Sequence, residues 1–117
     1  MTNDRQQLGM TGEELATQLL LKKGYRILAR NLKLTYGEID IVALDGQTLV
    51  IVEVKAKSNS LYGLSAEMIT RAKQLKLRRL AELLAQQFNK IEYRIDVVAV
   101  DWQNGPKPTI NHYIAAC

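Results

Sequence analysis

Residues 37 to 56 read Gly37-Glu38-Ile39-Asp40-Ile41-Val42-Ala43-Leu44-Asp45-Gly46-Gln47-Thr48-Leu49-Val50-Ile51-Val52-Glu53-Val54-Lys55-Ala56. Two apolar, β-branched runs flank Asp45-Gly46, a favoured pair for a tight turn. The segment therefore predicts an antiparallel hairpin with strands at Gly37 to Leu44 and Thr48 to Ala56. Charge is costly in so apolar a setting unless something compensates it. Asp40, Glu53 and Lys55 nevertheless sit inside these strands.

Side chains alternate across a strand, so Glu38, Asp40 and Val42 share one face of the first strand, and Leu49, Ile51, Glu53 and Lys55 share one face of the second. With Leu44 opposite Leu49, Asp40 faces Glu53 and Glu38 faces Lys55. A connection two residues shorter makes Glu53 a diagonal neighbour of Asp40. Either even-length connection keeps both acids on one face, whereas a three-residue loop without a bulge separates them. Opposed carboxylates repel, and a hard divalent cation relieves that repulsion. Mg²⁺ or Mn²⁺ prefers oxygen ligands, needs only one or two carboxylates, and leaves positions for water and a phosphate. The pattern predicts Asp40 and Glu53 as metal ligands and Lys55 as the cation beside a developing phosphate charge, a set suited to phosphodiester hydrolysis. The competing reading is a salt-bridged polar patch on a solvated sheet face.

Working outward, Thr11-Gly12-Glu13-Glu14 has the form of a capping box and predicts a helix at about residues 11 to 23, stopped by Gly24. Glu13 lies in line with Ala16 and Leu20 on the apolar stripe and is a third candidate acid, while Glu14 falls on the polar side. The alternative for Glu13 is a first-turn acid stabilised by the helix dipole. Tyr25 to Asn31 predicts a short strand. Ser65 offers an N-cap for a long helix to about Gln87, with Ile69, Ala72, Leu80, Leu83 and Leu84 on its packing side. Ile91 to Val100 predicts a further strand, and Thr109 to Ile114 a weaker last one after Asn104-Gly105-Pro106. The order αβββαββ implies an α/β domain with a mixed central sheet flanked by helices. In it the crossover through the second helix sets the fourth strand parallel to the third.

The 117 residues suit one domain, 1–117, and 47% hydrophobic with 24% charged residues is an ordinary globular balance. A net charge of +4 and a pI near 9.3 favour an anionic partner without identifying it. Cys117 is the sole cysteine, so an internal disulfide and a Cys-based zinc site are excluded. The polar N-terminal segment and the lack of any apolar run of roughly 18 residues lead to the expectation of a cytoplasmic protein with no membrane span.

Taken together, Gly12-Glu13, Gly24-Tyr25, Arg30-Asn31, Gly37 to Val42, Val52-Glu53-Val54-Lys55 and Arg94-Ile95-Asp96-Val97-Val98 resemble the YraN-like family of small bacterial proteins. The resemblance spans nearly the whole chain. It implies a restriction-endonuclease-like fold of the PD-(D/E)xK superfamily, similar to the archaeal Holliday junction resolvases, which use a helix Glu, an Asp and a Glu-x-Lys. On this sequence those catalytic roles fall on Glu13, Asp40, Glu53 and Lys55. Ile39 stands where the superfamily motif has proline. Lys57 stands where such proteins often carry Arg, which keeps the charge but removes a bidentate phosphate fork.

Arg71, Lys73, Lys76, Arg78 and Arg79 crowd nine positions of the second helix, and the loop before it adds further polar residues. Lys57, Ser58, Tyr62, Lys73 and Lys76 are the candidate nucleic-acid contacts, to backbone phosphate rather than base edges. The plain alternative is a solvated basic helix face. His112 is expected at the surface or a strand end, Asp96 in a pair with Arg94 or in support of the sheet, and Trp102 and Phe88 in packing. The leading expectation is an Mg²⁺- or Mn²⁺-dependent endodeoxyribonuclease, with a branched-DNA preference resting on analogy to the resolvases alone. Cutting two symmetric strands would require a homodimer, since one chain supplies one centre. The rivals are a nucleic-acid-binding module without turnover and a protein-interaction domain on the same scaffold.

Overall fold

In the computed structural model, which describes residues 10–57, 69–90, 92–102 and 106–117, the elements are α1 (Gly12–Lys22), β1 (Arg26–Leu34), β2 (Gly37–Asp45), β3 (Thr48–Lys57), α2 (Arg71–Gln87), β4 (Tyr93–Asp101) and β5 (Thr109–Tyr113). This is the αβββαββ order expected from the sequence. The five strands form one sheet in chain order. Neighbours pair antiparallel except β3 and β4, which run parallel because α2 carries the chain back along the sheet between them.

The helices cover opposite faces. Ala16 and Leu20 of α1 pack with Ile41, Ala43, Val50, Val52, Val98 and Val100, whereas Leu77, Leu80, Ala81 and Leu84 of α2 pack with Val42, Leu49, Ile51, Ile95 and Val97. Central strands covered on both sides must be apolar at odd and even positions alike, which accounts for the unbroken run from Leu49 to Val52. Among the described residues, no helix is long and apolar enough to cross a membrane.

The local signals at α1 hold. The Thr11 hydroxyl accepts the Glu14 N–H at 3.1 Å, and Gly24 takes a left-handed φ of 89° just past the helix. Gly12 lies so close to β3 that a Cβ there would stand 2.8 Å from that of Ala56. The first turn of α1 therefore rests on the end of the strand that carries Glu53 and Lys55.

α2 departs from its expected form. It begins at Arg71 after Thr70, whose extended backbone (φ −64°, ψ 157°) breaks the helix and whose hydroxyl accepts the Lys73 N–H at 3.1 Å. The proposed cap, Ser65, lies outside the described residues. Ala72 and Leu83, expected on the packing side, are exposed, Leu83 by 46%. Both fall nearly opposite Ala81 around the 3.6-residue turn, and Ala81 is at the centre of the buried stripe.

Candidate active site

The β2–β3 hairpin adopts the register with Leu44 opposite Leu49. Its ladder runs from Asp45–Thr48 to Ile41–Val52, and Gly46 in the turn takes φ 60°. The backbone ladder stops at Ile41–Val52, one residue short of Asp40 and Glu53. There the Asp40 side chain joins the pairing: Oδ2 accepts the backbone N–H of Val54 at 2.8 Å. A carboxylate fixed by the neighbouring strand's backbone has little freedom to turn away from Glu53.

Glu53 is only 5% exposed. Burial, a hydrogen bond shared with the Asp40 carboxyl and the Asp40 charge push its pKa up to about 7, against the opposing pull of Lys73 and Lys55. Lys73 Nζ lies 3.5 Å and Lys55 Nζ 4.0 Å from Glu53 Oε2. Lys55 reaches this point because it is two residues beyond Glu53 on the α2-facing side of β3. Lys73 reaches it because the Thr70 cap starts the helix there and places Lys73 in the first turn. Lysine charges on one side and an acid pair on the other leave the site balanced when every group is ionised.

Glu13 reaches the sheet, but at β1. Its Oε1 accepts from Arg30 Nε at 3.1 Å and from Asn31 Nδ2 at 2.9 Å. Asn31 has a positive φ of 50°, a conformation asparagine adopts more readily than most residues. The pairs Arg30–Ile41 and Leu32–Ile39 place the Asn31 backbone across from Asp40. Asp40, Glu53 and Lys55 are thus brought together with Lys73, while Glu13 is tied to the strand beside Asp40. Lys76 lies away from this group, its stem over Gly37, where a Cβ would meet Lys76 Cε at 2.7 Å. Ser58, Tyr62 and the Lys57 side chain lie outside the described residues.

The donor set is selective. Among the described residues no three His, Cys, Asp or Glu side chains converge on a metal position, so the site offers two carboxylates and no soft ligand. That suits Mg²⁺ or Mn²⁺, which complete their coordination with water and substrate oxygen, and does not suit a structural zinc. Glu53, its pKa pushed up to about 7, holds a proton near neutral pH that a cation would displace.

The face toward α1 holds a second polar cluster. Asp96 is fully buried and takes hydrogen bonds from Arg94 Nε at 3.0 Å and Ala115 N at 2.9 Å, with His112 Nε2 at 2.8 Å. Burial alone would raise its carboxyl; the bonds from His112, Arg94 and Ala115 outweigh this and hold it below the usual range. The pairing with Arg94 is as expected. His112 is not at the surface: its side chain is 2% exposed, wedged between Asp96 and Lys23, whose Nζ is 2.8 Å from Nδ1. A lone histidine in a short strand carries no sequence signal for this, because the partners come from β4 and from Lys23, just past α1. Trp102 packs against the α1-side core as expected, whereas Phe88, just beyond α2, is 42% exposed.

Residues 12–100 match the family described as "Uncharacterised protein family UPF0102". A UPF0102 protein of Nocardia farcinica is 44% identical over 93% of this chain and 87% of its own length, and one of Clavibacter michiganensis is 42% identical over 96% and 97%. One of Renibacterium salmoninarum is 45% identical over 91% and 92%. A solved structure, "Structure of EndoMS-dsDNA2 complex", aligns over 84% of this chain and 40% of that one, with a TM-score of 0.48 and 18% identity.

Proposed function

The chain belongs to the UPF0102 family, and we propose that it is a divalent-cation-dependent endodeoxyribonuclease of the restriction-endonuclease-like, PD-(D/E)xK kind, acting in the cytoplasm. The observation that carries this reading is the buried Glu53 carboxyl with two lysines at its edge, beside an Asp40 carboxylate that the Val54 N–H holds in place. A purely structural polar patch has no need of two carboxyls pressed together inside apolar strands.

In this reading Asp40 and Glu53 hold Mg²⁺ or Mn²⁺. The cation supplies Lewis acidity toward a phosphate oxygen and lowers the pKa of an attacking water. Val54 N–H keeps Asp40 in place for the ion. Lys55 offsets the negative charge that grows on the phosphate oxygens, and Lys73 keeps an ionised Glu53 compensated. Glu13, steadied by Arg30 and Asn31, is the assisting acid. DNA is gripped through its phosphates by Lys57, Ser58, Tyr62, Lys73 and Lys76, and branched DNA is the substrate class that the resolvase resemblance favours.

One observation favours a second reading: Lys55 and Lys73 already compensate Glu53 without a metal, as a DNA-binding module lacking turnover would require. Labelled single-stranded, duplex, flap and four-way DNA incubated with pure protein separates the two. The nuclease reading expects cleavage with Mn²⁺, its loss with chelator and in Asp40→Ala and Lys55→Ala, and DNA binding retained in both variants. Intact DNA in every arm, with salt-sensitive binding preserved, leaves the binding module.

A further inference from the structure

The outer side of α2 and the turn between β1 and β2 enclose a groove of mixed character. Leu75 is 53% and Leu83 46% exposed, and Tyr36 in the turn stands 70% exposed. With Lys76, Arg79 and Glu82 they line an open groove of about 800 Å³. Glu82 Oε1 is taken by the Tyr93 hydroxyl at 3.2 Å, whereas Lys76 and Arg79 form no ion pair among the described residues. Aliphatic and aromatic surface thus lies next to two uncompensated cations.

Its place in the fold ties the groove to the acid pair. Lys73, Lys76 and Arg79 recur at every third position and make a slanting row on α2. Lys73 Nζ is 3.5 Å from Glu53, and the Lys76 stem crosses Gly37 beside the Tyr36 turn. Arg79 follows Lys73 by about 9 Å along the helix axis. On the sheet side, Tyr36 precedes Asp40 by four residues, about 13 Å of strand. A DNA strand held at the acid pair reaches the groove within a few nucleotides.

We propose that the groove is a track for an unpaired DNA strand, in which a base stacks on Tyr36 and rests on Leu75 and Leu83 while Lys76 and Arg79 hold the neighbouring phosphates. Duplex DNA keeps its base faces inside the stack and has no use for apolar side chains along its backbone. An unpaired strand presents both the faces and the charges that this groove answers. A protein segment is the other class of occupant for an apolar groove, and the basic row favours DNA over it. The cations run on from the groove to Glu53, as a polyanion continuing through both requires and a short docking motif does not. This rests on the DNA-cleaving reading and narrows it: the substrate carries a single-stranded arm, which α2 leads past the acid pair.

The test is binding of labelled DNA to the full chain in chelator, so that cleavage plays no part. The probes are a single strand of thymidines, an abasic strand of the same length, and a duplex. Wild type is expected to bind the thymidine strand more tightly than the abasic one. Tyr36→Ala is expected to weaken the thymidine strand about tenfold and to leave the abasic strand and the duplex within about twofold. Tyr36→Trp should restore the thymidine strand, and the exposure of the Tyr36 ring leaves both variants folded. Arg79→Gln should weaken both single strands and lower their salt slope by about 0.7. A Tyr36→Ala protein that binds the thymidine strand as wild type does, or that loses as much on the abasic strand or the duplex, overturns the proposal. Wild-type binding to duplex alone overturns it and leaves the nuclease reading standing; binding to none of the three overturns both.

Discussion

The Asp40 carboxylate accepts the backbone N–H of Val54 at 2.8 Å, so the residue proposed to hold the cation also takes part in the pairing of β2 with β3. The two duties can be separated. Asp40→Asn keeps an oxygen for the Val54 N–H but removes the charge. It is expected to fold within about 1 kcal/mol of wild type, to let the Glu53 pKa fall, and to lose Mn²⁺-dependent cleavage. Asp40→Ala leaves the N–H without its partner and is expected to cost a further 1–3 kcal/mol or so. Urea melts of the two variants, with Mn²⁺ titration of each, check both halves.

The raised Glu53 pKa carries a pH dependence of definite sign. The carboxyl titrates near 4.5 in the unfolded chain and near 7 in the native one. Between those values the native state binds more protons, so stability falls as pH rises from about 4.5 to 7, and the full cost remains above 7. Melts of the metal-free protein should show that decline, and Mn²⁺ should flatten it. Glu53→Gln should remove the dependence and be more stable than wild type at pH 8 by about 2 kcal/mol.

Lys55 and Lys73 both lower the Glu53 pKa, so alanine at either is expected to raise it further. Their other effects diverge. Lys55→Ala should abolish cleavage and leave DNA affinity nearly intact. Lys73→Ala should move the pH–rate profile upward and reduce the salt slope of DNA binding by about 1. pH profiles alongside binding measured over a range of salt distinguish them.

On the other face, Asp96 is a structural acid. Asp96→Ala leaves Arg94 and His112 without their buried partner and is expected to cost about 3–5 kcal/mol in thermal or urea melts. Its Mn²⁺ affinity, measured where the variant is folded, should match wild type.

The hairpin and its acids were legible in the sequence because strand alternation and a two-run turn signal are local rules. They placed Asp40, Glu53 and Lys55 on one face, though the choice between two registers needed the structure. The Lys73 contact with Glu53 was not legible as such. It depends on the helix starting after Thr70 rather than at the expected Ser65. The apolar periodicity of α2 is broad enough to take in Ala72 and Leu83; only packing against β2 to β4 selects the stripe around Ala81. The Asp96–Arg94–His112 cluster joins residues far apart in the chain, and only its Arg94–Asp96 pair, two apart on one strand, could be anticipated.

The central claim is that Asp40 and Glu53 together hold a divalent cation in place of a proton. Calorimetric titration of wild type and Glu53→Gln with Mn²⁺, at pH 6 and pH 8 in buffers of different ionisation enthalpy, tests it most directly. The account predicts binding by wild type with proton release at pH 6 that fades by pH 8, and greatly weakened binding by Glu53→Gln at both. Equal Mn²⁺ affinity in the two proteins, or binding with no proton released at pH 6, would contradict it.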